Sequence, residues 1–116
     1  MTALLLASGL LAIAVAILHG YLGETRLIAP ATFPDRQARR FVSAIWQMST
    51  ALWIACGAII AGSPWLEPGP RRWTVLAACL PLLWGTLANV WITRGRHIGG
   101  RLMGAAVAMA LIAVGL

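Results

Sequence analysis

Few side chains in this sequence can carry acid–base, ligand or hydrogen-bonding chemistry, and nearly all of them fall at the ends of long apolar runs. His19 and Glu24 close the first run. Ser43, Gln47, Ser49 and Thr50 open the second, Asn89 lies near the end of the third, and His97 and Arg101 stand at the start of the fourth. A histidine in such a place can act as a ligand, a proton carrier or a hydrogen-bond partner. Two histidines without HxxxH or CxxC spacing do not define a metal site, and a metal would need Glu24 as a third ligand, so no metal or other cofactor is expected. A haem would take His19 and His97 as axial ligands, with arginines neutralising its propionates. His19 and Glu24 are five residues apart and point about 140° from each other on an α-helix. An acid–base pair built from them therefore needs a bend at Gly20 or Gly23. No nucleophile–base–acid grouping is present, and catalysis is the least favoured reading.

The elements that position these residues follow from composition. Of 116 residues, 60% are apolar and 10% are charged, against about 25% charged in a soluble domain. The apolar runs cover about 3–22, 41–62, 72–92 and 98–116. Each is near the ~20 residues that cross a ~30 Å hydrocarbon core. The expected fold is all-α: a single membrane domain, residues 1–116, forming an integral membrane four-helix up-down bundle. The first run lacks the basic n-region of a signal peptide and reads as a helix. Pro34 followed by Asp35 marks a helix start ahead of the second run. Pro70 marks the start of the third helix, Pro81 bends it, and Gly95 makes the last turn. Arg101, one turn into the fourth run, reaches back to the headgroups. Cys56 and Cys79 lie within apolar runs and read as small core residues.

The net charge is +6, from nine arginines and no lysine against three acids. Those arginines sit between apolar runs, where they orient a membrane protein and meet anionic headgroups; nucleic acid is not an expected partner. The first loop, about 23–40, and the third, about 93–97, hold Arg26, Arg36, Arg39, Arg40, Arg94 and Arg96, with Arg101 just beyond. The second loop, about 63–71, holds Arg71, with Arg72 next to it. Arginine-rich loops stay in the cytoplasm, so both termini are expected outside, in the inner membrane of a bacterium. Abundant Ala, Gly, Arg and Pro without Lys fits a GC-rich genome.

With that orientation, His19 and Asn89 lie roughly 5 Å inside the cytoplasmic boundary and Gln47 roughly 9 Å inside. A polar cluster of His19, Glu24, Gln47, Asn89 and His97, rimmed by Arg40, Arg94, Arg96 and Arg101, is the candidate ligand-binding site, because polar groups facing lipid are costly. Small residues recur every fourth position at Ser8, Ala12, Ala16 and Gly20, and at Gly100, Gly104 and Ala108. These ridges are expected to bring the first and fourth helices together and the two histidines with them. Glu24 is expected to pair with a loop arginine. Trp65, Trp73 and Trp91 read as interfacial anchors, and Trp53 and Trp84 as bundle packing.

The stretch His19-Gly20-Tyr21-Leu22-Gly23-Glu24, followed by Trp46-Gln47, resembles a group of small uncharacterised bacterial four-span membrane proteins. In that group His-x-x-x-Gly-Glu ends the first helix and Trp-His sits early in the second. Here Gln47 replaces that histidine, which removes a potential metal or haem ligand. The resemblance implies a shared layout and no activity. Small multidrug resistance transporters, of comparable length, need a Glu in the middle of helix one, and here Leu10 to Leu18 is apolar. The leading expectation is a binding or accessory membrane subunit, associated with itself or a larger complex and with lipids. The alternatives are a small transporter or lipid-handling protein for an anionic or amphipathic ligand, and a haem or metal protein.

Overall fold

A computed structural model describes residues 1–116. It is all-helical: α1 Thr2–Leu22, α2 Arg36–Gly62, α3 Pro68–Thr93 and α4 Ile98–Ala113. A π-helical segment, Gly23–Ile28, extends α1, and a 3-10 turn, Ser63–Trp65, follows α2. With these extensions the first three helices are long and apolar enough to cross a membrane; α4, at 16 residues, is shorter.

The helix ends follow local chemistry. Asp35 is extended and its carboxylate accepts from the Ala38 N–H at 2.7 Å, the usual N-cap arrangement. α2 thus starts at Arg36, five residues ahead of the apolar run. α3 starts at Pro68 rather than at Pro70, with Glu67 before it. It stops where Arg94 and Gly95 take positive φ, 50° and 72°, a tight left-handed exit in which glycine is unstrained. His97 caps α4 by accepting the Gly100 N–H on Nδ1 at 3.3 Å. α4 ends at Ala113, short of the expected 116.

Successive helices run antiparallel. Along α1 and α2, Gly9 meets Gly57 and Ala61, Gly20 meets Thr50 and Gln47, and Gly23 meets Trp46. Along α3 and α4, Asn89 meets Gly100 and Thr86 meets Gly104. Trp53 of α2 lies on Gly85 of α3, and the Ser8 hydroxyl of α1 donates to the Ala106 carbonyl of α4 at 2.7 Å. The result is an up-down bundle, 50 × 26 × 17 Å overall.

The interior is made of small residues plus a few large ones. Ser8, Ala12, Ala16, Ala106 and Ala110 are fully buried, as are Leu5, Ile60, Val75 and Leu82. Cys56 and Cys79 are buried and free. Large apolar side chains such as Leu10, Ile17, Met48, Leu52, Leu80 and Leu87 point outward instead.

Two packing expectations are corrected. Gly100 and Gly104 face α3 rather than α1, and Ala108 is exposed. Trp53 is buried as expected, but Trp84 is 75% exposed and packs on nothing inside the bundle. Lipid tails are as apolar as Leu, so hydropathy cannot tell a tryptophan facing a neighbour from one facing outward.

Candidate functional site

The polar residues at the end that holds the α1–α2 and α3–α4 connections divide between two seams, α1–α2 and α3–α4.

On the first seam, His19 is the centre. Its ring stacks on Trp46 at 4.3 Å and 11° and meets Trp53 at 4.4 Å and 42°. Those tryptophans are seven residues apart on one face of α2, about 10 Å along its axis, so the imidazole lies between them. Its Nε2 is 3.3 Å from Ser49 Oγ, and Ser49 Oγ–H donates to the Trp46 carbonyl at 2.7 Å. The hydroxyl proton is thereby engaged, which assigns a proton to Nε2 of His19.

One turn further on, α1 changes its winding. The Ala29 N–H bonds the Glu24 carbonyl, five residues back, at 2.9 Å, the π-helical register. α2 supplies donors where the change begins. Trp46 Nε1–H donates to the His19 carbonyl at 3.0 Å, and Gln47 Nε2–H donates to the Gly20 carbonyl at 3.2 Å. The Thr25 hydroxyl donates to the Tyr21 carbonyl at 2.8 Å. Gly23 is required there because a Cβ would overlap the Trp46 indole, and a Cβ on Gly20 would come within 2.8 Å of Thr50. The His-x-x-x-Gly-Glu stretch is therefore a seat for an indole. His19 and Glu24 both reach α2, His19 at Ser49 and Glu24 at Ser43.

Glu24 accepts from the Ser43 hydroxyl at 2.7 Å, where a loop arginine was expected. Together with Arg36, Arg39, Arg40 and Ala44 they line an open groove of about 490 Å³. Arg40 was expected at this rim; Arg36 and Arg39 were not singled out. Their i, i+3, i+4 spacing is a signal for one helix face, legible once Asp35 is taken as the cap. Gln47 is exposed despite its bond to Gly20, so it belongs to the outer edge of the seam.

On the second seam the groups are engaged in the α3–α4 turn. Asn89 Nδ2–H donates to the Gly85 carbonyl of its own helix at 3.0 Å. Thr93 Oγ1–H donates to the Asn89 carbonyl at 2.7 Å and accepts from the His97 N–H at 3.3 Å. Arg101 Nε–H donates to the Gly95 carbonyl at 2.7 Å. Arg94 supplies the left-handed cap. Asn89 and His97 thus shape a turn and make no hydrogen bond to His19 or Glu24. Of the two histidines named for a haem, His19 lies between two indoles and His97 caps α4 through Nδ1. No group of three His, Cys, Asp or Glu side chains is placed to hold a metal ion.

At the opposite end, Arg71 Nη2–H donates to the carbonyls of Pro64 at 3.1 Å and Leu66 at 2.6 Å, closing the α2–α3 connection. From this end to the midsection, fully buried Leu5, Ile60, Val75 and Leu82 fill the interior. No protein-family model, curated protein or solved structure matches this chain.

Proposed function

We propose that the chain is a membrane-embedded binding subunit of a bacterial cytoplasmic membrane, with both termini outside and its binding groups at the cytoplasmic end. The observation that carries this reading is the contrast between ends and flank. The flank is apolar, with Leu, Ile, Met and Trp pointing outward all round the helices. Soluble monomers rarely expose contiguous apolar patches beyond about 300–600 Å². Apart from Ser8, which bonds α4, the hydrogen-bonding side chains of α1 and α2 collect instead at one end, in the seam of His19, Glu24, Ser43, Gln47 and Ser49. The packed interior favours binding at that end over passage through the bundle. The arginine tally of the loops supports the orientation.

Thiol mapping tests it. In a chain with Cys56 and Cys79 replaced by Ala, a reporter at Arg26→Cys is expected to resist a membrane-impermeant thiol label on intact cells. A reporter at Glu67→Cys is expected to react. The reverse pattern overturns the orientation. Recovery of the unlabelled chain from the soluble fraction without detergent overturns the membrane reading itself.

A further inference from the structure

The groove at the start of α2 breaks an electrostatic rule. Arg36, Arg39 and Arg40 fall within the first five residues of α2, where the helix dipole is positive and cations are disfavoured. Across the groove they face one carboxylate, Glu24, whose hydrogen-bond partner is Ser43. Three guanidiniums against one carboxylate leave a surplus of two positive charges in a single concave site. Guanidinium forks match phosphate oxygens bidentately. The Asp35 carboxylate already caps the helix N-terminus, and a phosphodiester, with one negative charge, offsets half of the surplus.

Helix geometry indicates what the rest of the ligand is. At about 100° per residue, Ala44 lies on the border of the arginine face. Met48 and Phe41 continue round the helix from it. Both are exposed, at 70% and 67%. A charged head seated among the arginines therefore has an apolar track beside it on the same helix, leading toward the bundle's midsection. A free inorganic anion would use only the first of these features.

We propose that this groove binds the phosphate headgroup of an anionic phospholipid, with its acyl chains lying along Ala44, Phe41 and Met48. The proposal rests on the membrane-embedded reading above. Arg36, Arg39 and Arg40 hold the phosphate. Glu24, fixed by Ser43, offsets one of the three guanidiniums.

The test is lipid retention by the full chain, purified from mixed phosphatidylcholine and phosphatidylglycerol and followed by native mass spectrometry. The wild type is expected to retain one phosphatidylglycerol in preference to phosphatidylcholine. The double variant Arg39→Gln, Arg40→Gln is expected to lower that retention roughly thirtyfold, the weight of two arginines at an anionic surface. The double variant Arg26→Gln, Arg72→Gln removes the same charge outside the groove lining and is expected to retain the lipid as the wild type does. Equal losses in both variants would show diffuse attraction and overturn the site, as would absence of a phosphatidylglycerol preference in the wild type. Displacement of the lipid by inorganic phosphate, with phosphate itself retained, would identify a free-anion site and overturn the lipid assignment. Helical circular dichroism separates these outcomes from misfolding. A chain that enters bilayers but shows no lipid preference removes this inference alone, whereas a chain that fails to enter them removes the parent reading.

Discussion

Two side chains, Gly23 and Trp46, decide how α1 meets α2. The indole occupies the space a Cβ would take and donates to the His19 carbonyl while stacking on the His19 ring. These contributions can be separated. Gly23→Ala drives a methyl into the indole and is expected to cost about 1–3 kcal/mol, the usual penalty of overpacking. Trp46→Phe keeps a ring against His19 and loses the donor. Its expected hydrogen-bond cost is near ~0.6 kcal/mol, the average for such bonds in membranes. Reversible unfolding in mixed detergent micelles measures both. A larger loss for Trp46→Phe than for Gly23→Ala would mean that the hydrogen bond, rather than close approach, holds the seam. His19, Gly23 and Glu24 were conspicuous in the sequence because they are polar or small at the edge of an apolar run. Ser43, Ser49 and Trp53 stood out as well, but not as their partners, since pairing is a property of two helices and a single run carries no register against its neighbour.

At the scale of elements, caps and windings matter more than hydropathy. Asp35 fixes the start of α2 and so places Arg36, Arg39 and Arg40 on a helix rather than in a loop. Asp35→Ala is expected to cost about 1 kcal/mol and to speed amide hydrogen exchange at residues 38–40. Unchanged exchange there would show that the helix start is held by other contacts. The four helices were legible because each run is long enough to span a membrane, and Pro34-Asp35 correctly pointed to an early start for α2. The π-helical segment was not legible. It lies beside donors from Trp46 and Gln47, which reach α1 only after the pair has formed. The division of the polar cluster into two seams was hidden for a related reason. Asn89, Thr93 and His97 satisfy one another and the nearby backbone locally, an outcome that spacing alone does not separate from contacts across the bundle.

At the scale of the molecule, α1 and α2 approach most closely at Gly9 and Gly57, where a Cβ on Gly57 would stand 2.8 Å from the Gly9 carbonyl oxygen. Gly57→Leu is expected to wedge the two helices apart far from the His19 seam and to lower the midpoint of detergent unfolding by more than Gly62→Leu, where nothing lies within 4 Å. Equal effects would show that helix propensity, not contact, governs the loss. The bundle also has one short wall. α4 contributes 16 residues, about 24 Å of helix, while hydrocarbon is ~30 Å thick. Alongside that wall a bilayer has to thin or the helix has to be flanked by snorkelling side chains, and Arg101 stands at its margin. The protein is thus asymmetric in hydrophobic height. On the membrane-embedded proposal, shorter lipids are expected to gather along α4 in a bilayer of mixed acyl lengths, and the chain to partition toward thinner regions.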